Sequence, residues 1–344
     1  MLLRLGSVSV IVGLMLGCTN QTSPDVQGSM IPELPAHMPS VPFPADNPYS
    51  AEKAELGRHL FYDVRLSSEA TIACASCHRQ EAAFSDAPNQ VSKGVYGARG
   101  QRNSPMIVNA AYNPYQFWDG RAATLEEQAM GAFLNSIEMA ADTIAVGSLL
   151  RGPDYRDRWV QAFHDSTVTM RLAMKAIATF VRTLVSANSP YDRYLRGERD
   201  AMTSVQLSGM RLFFSERTKC ASCHNGPNLT NNLFQNVGLF SHYFDTGRYR
   251  VTGDHADEAM FKTPTLRNVE LSPPYMAGGD SEDGEMLTLE SVVEHYDKGG
   301  KPFGNKDTRV VALKLSNSEK ASLVEFMKAL TDRSVLTNPR FAKP

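Results

Sequence analysis

Much of what this chain could have been is excluded by what it lacks. Its charges nearly cancel, 35 Lys and Arg against 37 Asp and Glu for a formal net charge of -2. No run of like charge interrupts it, so it offers neither a basic face for nucleic acid nor a polyanion-binding tail. No segment alternates apolar and polar residues for long enough to demand a large sheet. The leading apolar run, Leu5 to Leu16, is too short and too near the start for an ordinary membrane span. Cysteine is scarce, five in 344 residues, and of the eight histidines none lies between His78 and His164. The scarcity matters because these residues fall into patterns.

What remains is ordinary globular material, 42% apolar and 21% charged, over a length that suits two cores. Residues 1–17 read as an export signal, with Arg4 ahead of the apolar run. Met15, Leu16, Gly17 and Cys18 resemble a bacterial lipobox, in which Cys18 receives lipid and becomes the mature N-terminus; plain signal cleavage is the alternative. Thr19 after the cysteine resembles outer-membrane sorting, so the expected location is the periplasm, on a lipid anchor. Residues 18–47, rich in Pro, Ser and Asn, are expected to form a flexible tether. With Cys18 given to lipid, the other cysteines pair off as Cys74 with Cys77 and Cys220 with Cys223, and none is left for a disulfide.

An internal repeat organises the rest of the chain. "GRHLFYDVRLSSEATIACASCH" and "GMRLFFSERTKCASCH" share Gly57/Gly209, Leu60/Leu212, Phe61/Phe213 and the whole CASCH. Each copy reads as a short amphipathic helix followed by a cofactor-binding loop, the way a cytochrome c domain begins. The expected fold is therefore mainly α, two tandem cytochrome c-like domains at 48–195 and 196–344 with long loops. Between the copies, Met170, Met174, Ile177, Val181 and Leu184 recur at helical spacing, with Ser166 or Thr167 as cap and Pro190 beyond the end. The methionines of that stripe are taken as packing. A last helix is expected from the capping box at Ser316 and Glu319, with Leu323, Phe326, Met327 and Leu330 on one stripe.

Cys-x-x-Cys-His attaches haem c through two thioethers and supplies an axial imidazole, so Cys74, Cys77 and His78 hold one haem, and Cys220, Cys223 and His224 a second. A thiol redox pair or half of a zinc site uses the same Cys spacing, but zinc requires two further ligands near each pair. The immediate histidine, the duplication and the export signal favour haem. A pure electron carrier needs both irons six-coordinate, whereas a catalyst needs one open face with polar groups around it.

The stretches "RNSPMIVNAAYNPYQFWDGRAATLEEQAMGAFLNSIEMA", "FKTPTLRNVELSPPYM" and "TLESVVEHYDKGG", together with the two CASCH motifs, resemble the bacterial di-haem cytochrome c peroxidase and MauG family from about Pro48 onward. The resemblance implies a peroxide-binding haem in the first domain, an electron-transfer haem in the second and a calcium ion between them. Residue by residue, it implies that Trp118 relays electrons between the haems and that Gln128 and Glu138 stand over the open face of the first. Asn103, with the backbone carbonyls of Ser272 and Pro274, matches the calcium ligands. Tyr296 falls where peroxidases of the family place an axial Met and MauG-type members a Tyr; Met276 and His295 are rivals close by. There are also departures: the loop after His78 has no histidine, Ala132 replaces a proline four residues after Gln128, and Ala277 replaces a histidine ahead of an acidic loop.

The function these features imply is a periplasm-facing oxidoreductase that reduces hydrogen peroxide at an open-faced first haem, drawing electrons through the second from a protein partner. The missing loop histidine and Tyr296 point to the MauG-like branch, in which Trp or Tyr residues of a partner protein are oxidised. The alternatives are a conventional peroxidase fed by a small cytochrome or cupredoxin and a non-catalytic di-haem electron carrier.

Overall fold

The computed structural model describes residues 29–276 and 286–344. Cys18, the export signal, Ala277 and most of the acidic loop lie outside the described residues. Within the described residues the chain is mainly helical: α1 (Ala51–Tyr62), α2 (Cys74–Cys77), α3 (Leu125–Leu134), α4 (Thr143–Arg151), α5 (Pro153–Phe163), α6 (Met170–Thr183), α7 (Pro190–Leu195), α8 (Ser204–Phe213), α9 (Tyr249–Thr252), α10 (Leu289–Lys298), α11 (Asn317–Lys328) and α12 (Ser334–Thr337). The only sheet among the described residues is an antiparallel pair, β1 (Phe234–Gln235) and β2 (Phe261–Lys262), with Phe234 opposite Lys262.

The repeat seen in the sequence is a repeated helix crossing. In the first core α1 packs on α6 so closely that a Cβ on Gly57 would lie 1.9 Å from the Ala176 carbonyl oxygen, and Phe61 meets Phe180 edge-on at 5.2 Å. In the second, α8 packs on α11: a Cβ on Gly209 would lie 1.8 Å from the Ser322 carbonyl oxygen, and Phe213 meets Phe326 at 5.2 Å. Only glycine permits either approach. The expected stripe of α6 is the core face, with Met174, Ile177, Val181 and Leu184 all buried. Its cap, however, is Thr169, whose hydroxyl accepts from the Leu172 amide. The expected Thr167 is instead folded into a turn by Asp165. The capping box at Ser316 and Glu319 is as expected, although the four-residue α12 follows that helix.

The repeat also extends further than the shared letters. Asn109 and Asn268 both take the left-handed conformation and open a short 3-10 turn. Each donates its amide to the end of a core helix segment, Leu184 at 2.8 Å and Leu330 at 3.0 Å. Each accepts on Oδ1 from the chain leaving that segment, Ser186 at 2.8 Å and Asp332 at 2.7 Å.

Buried charges tie the halves together. Arg267 grips Asp192 of α7 with both guanidinium nitrogens at 2.8 and 2.9 Å, and His37 Nε2 lies 2.8 Å from the same carboxylate. Residues 29–47, part of the segment expected as a tether, touch the folded halves at separate points: Met38 is buried against Arg267, Met30 in the first core, and Asn47 where it bonds Lys53 and Glu126. The C-terminal end returns to the first core: Val335 and Phe341 are buried in it, and the Phe341 carbonyl accepts from Tyr62.

Candidate active site: two haem-attachment loops on one cavity

The loops after α1 and α8 present their histidines in the same way. His78 Nδ1 donates to the Phe84 carbonyl at 3.1 Å and His224 Nδ1 to the Leu229 carbonyl at 3.2 Å. That bond fixes the tautomer and leaves Nε2 as a lone-pair donor, the arrangement of an iron-ligating imidazole. Burial pushes both histidines below the ordinary range, His224 to about 4, so both stay neutral. Left-handed residues curl the loops back, Ala83 and Phe84 in the first and Leu229 in the second. All four thiols are free.

Both loops open on one continuous cavity of about 1200 Å³, larger than an ordinary small-ligand pocket of roughly 300–1,000 Å³. Its walls include both Cys-x-x-Cys-His motifs, Trp118, Gln128, Glu138, Tyr296, Met276, Asn103, Ser272 and Pro274. Thiols, free imidazole nitrogens and volume all fit two covalently attached haems.

Gln128 and Glu138 reach this cavity from different backbone. Gln128 is in α3, whereas Glu138 lies in the turn after that helix ends at Leu134, which is why helical periodicity never linked them. The Glu138 backbone is clamped by the Val95 amide at 3.0 Å, and a Cβ on the neighbouring Gly94 would sit 1.8 Å from the Ile137 carbonyl oxygen. Asn135 Nδ2 donates to Glu138 Oε1 at 2.9 Å, leaving the other oxygen for a ligand. Burial pushes the Glu138 carboxyl up, against the opposing pull of Arg121 and Asn135. Two wall residues carried no signal of their own in the sequence. Phe117 has φ 65°, and the Arg121 guanidinium lies 3.5 Å from its ring centre; both line the cavity.

Across the cavity, α10 supplies Tyr296, whose phenol burial pushes well above the usual tyrosine range. Its rival His295 is turned away, with Nε2 on the Val237 carbonyl at 3.1 Å, and does not line the cavity. Met276, at φ 53°, does. Between the two loops, Trp118 Nε1 donates to the Asn103 carbonyl at 3.1 Å, and the Trp118 carbonyl accepts from the Lys262 amide at 2.8 Å. Arg102 secures this region by pairing with Asp119 at 2.7 Å and Asp245 at 2.6 Å. Asn103 Nδ2 lies 3.5 Å from the Pro274 carbonyl oxygen, while Asn103 Oδ1 is buried without a partner.

Residues 51–200 match the family described as di-haem cytochrome c peroxidase. The cytochrome c551 peroxidase of Nitrosomonas europaea is 38% identical over 301 residues, spanning 86% of this chain and 85% of its own. The chain belongs to the di-haem cytochrome c peroxidase and MauG family. The methylamine utilization protein MauG of Methylophilus methylotrophus is 33% identical over 293 residues, spanning 85% of this chain and 86% of its own. A solved MauG-like protein associated with microbial copper homeostasis is 34% identical with a TM-score of 0.85, and the match covers 91% of this chain and 98% of that one. As a member of the family the chain is a peroxidase-type di-haem enzyme, with two haem c as its cofactors, and membership implies hydrogen peroxide as oxidant and a cytochrome donor. No helix among the described residues is long and apolar enough to cross a membrane.

Proposed function

We propose that this chain is a MauG-like member of its family, taking two electrons per peroxide from oxidisable aromatic residues of a docked periplasmic protein. The observation that carries the reading is Tyr296, which stands in the cavity wall where a rival histidine is turned away. A phenolate at the second haem favours higher oxidation states than a thioether does. The likeness to a MauG-like protein associated with copper homeostasis supports a copper-handling protein as the partner.

Haem bound at His78 supplies the Lewis-acidic iron on which peroxide is activated. The chain's part is to position the oxidant and move its proton. Gln128 orients peroxide, and the free oxygen of Glu138 takes a proton from the inner peroxide oxygen and returns it to the outer one. Such general acid–base help is typically worth about 10² to 10⁴ in rate. Trp118, hydrogen-bonded at both its indole and its carbonyl, relays electrons between the halves.

Calcium fits the oxygen donors around Asn103. The orphaned Asn103 Oδ1 and the nearby Pro274 carbonyl are hard ligands of the correct type, with Ser272 on the same turn. No group of three or more acidic, His or Cys side chains that could hold a metal ion is found among the described residues, so calcium here would rest on amide and carbonyl oxygens. At the N-terminus, Cys18 would carry a lipid that keeps the enzyme at the outer membrane.

The relatives named as cytochrome c peroxidases favour a second reading, in which a small redox protein delivers the electrons. Stoichiometric peroxide added to fully oxidised protein, before and after partial reduction, separates the two. The MauG-like reading expects an optical change without reduction. A response only after partial reduction supports the conventional peroxidase.

A further inference from the structure

Lys262 is a buried cation with no anion. It is 8% exposed and lines the cavity between the two haem loops. Lys53, equally buried, gives its ammonium to Asn47 Oδ1 and the Pro48 carbonyl. Among the described residues Lys262 Nζ makes no hydrogen bond and no ion pair, and burial alone pulls its pKa down to about 8. The ammonium lies on the cavity wall with no protein anion among the described residues to answer it, so its counter-charge must come from what the cavity takes in.

The extended repeat fixes the place of Lys262. Counting back from the equivalent Asn109 and Asn268, Pro105 corresponds to Pro264, Ser104 to Thr263 and Asn103 to Lys262. Pro105 and Pro264 both line the cavity onto which the haem loops open, so the correspondence holds at that wall as well. The two positions are also joined through one residue. Trp118 gives its indole N–H to the Asn103 carbonyl and receives the Lys262 amide on its own carbonyl. Thus one place in each half holds an orphaned polar group: an amide oxygen suited to a cation in the first, and a cation in the second.

The anions that enter this cavity with the cofactors are the carboxylate arms of the porphyrins. We propose that the Lys262 ammonium is the built-in counter-cation for a carboxylate of the second haem, raising that haem's reduction potential and fixing the charge beside Trp118. The proposal rests on the two haem c groups of the family and not on the identity of the electron donor. A nearby cation favours the reduced, less positive centre, so its loss favours the oxidised one. At the screening typical of protein sites, one charge about 10 Å away changes the ratio of the two forms by roughly tenfold.

The test is a spectroelectrochemical titration of the haem-loaded wild type, K262M and K262R, with the two haems resolved by their spectra. In K262M the oxidised-to-reduced ratio of the second haem at a fixed applied potential should rise by about tenfold, and in K262R it should stay near wild type. A K262M protein that titrates as wild type overturns the proposal. So does a shift confined to the first haem, or one equally large in K262R. If K262M fails to take up haem, K262Q is titrated in its place and decided by the same outcomes.

Discussion

Ala132 and Tyr296 are the eighth residues of α3 and α10, two ten-residue helices that each begin at a threonine cap, Thr124 and Thr288. Both line the cavity. The same place in the repeat therefore carries a methyl group on the first haem's side and a phenol on the second's. A phenol is a potential haem-iron ligand and a methyl group is not, so the proposed asymmetry between an open and a ligated haem needs no difference in backbone.

Ala132→Met should close the first site, because methionine is flexible and its thioether ligates haem iron. The ferric first haem is expected to become low-spin, and its reaction with peroxide to slow. Stopped-flow absorbance and the resting spectrum check this together; an unchanged spectrum would show that residue 132 does not face the iron.

Glu138→Gln should lower the rate of peroxide reduction by about 10² to 10⁴. Burial, opposed by Arg121 and Asn135, keeps the Glu138 carboxyl protonated to higher pH than an ordinary glutamate. Since the deprotonated form starts the transfer, the wild-type rate should rise with pH through a midpoint above the ordinary 4.5. The pH–rate profile of the glutamine variant should lose that rise.

Arg267→Met leaves the Asp192 carboxylate buried without its bidentate partner, which should cost about 3–5 kcal/mol in denaturant unfolding of the holoprotein. Burial by itself would raise the Asp192 pKa, but the hydrogen bonds and charge of Arg267, with Ser189 and His37, bring it down to about 2. A folded pKa below the ordinary 3.8 stabilises above that pH and is lost as pH falls toward 2. The wild type should therefore lose stability over this acid window more steeply than the variant.

Gly57→Ala and Gly209→Ala each drive a methyl group into a facing carbonyl oxygen, so each should destabilise by about 1–3 kcal/mol through overpacking. Thermal unfolding of the two variants should show losses of similar size, since the crossings are equivalent. A neutral effect at either position would contradict the tight crossing there.

How much was legible in the sequence depended on whether a residue's signal was local. The Cys-x-x-Cys-His motifs, the glycines of the crossing helices and the stripe of α6 are local patterns, and each stands where its pattern implies. The equivalence of Asn103 with Lys262 was hidden because the two side chains differ in type, and the Pro and Asn that follow each at the same spacing, Pro105 with Asn109 and Pro264 with Asn268, are too short a pattern to stand out. Phe341 enters the first core as an isolated aromatic after the last long helix, with no periodicity to mark it. Residues 29–47 carry the composition of a linker, yet Met38 and Asn47 find buried seats that only the folded halves create. Tyr296 and His295 are adjacent in sequence and helical geometry alone points them apart, so the choice of which faces the cavity is decided by the bond that His295 makes to Val237.

An open first haem facing a tyrosine-ligated second one is the arrangement on which the proposed chemistry depends. The paramagnetic resonance spectrum of the resting, fully oxidised protein, recorded beside Tyr296→Phe, tests it most directly. One high-spin and one low-spin ferric signal are predicted, with only the low-spin signal altered by the substitution. Two low-spin signals, both unchanged in the variant, would contradict it.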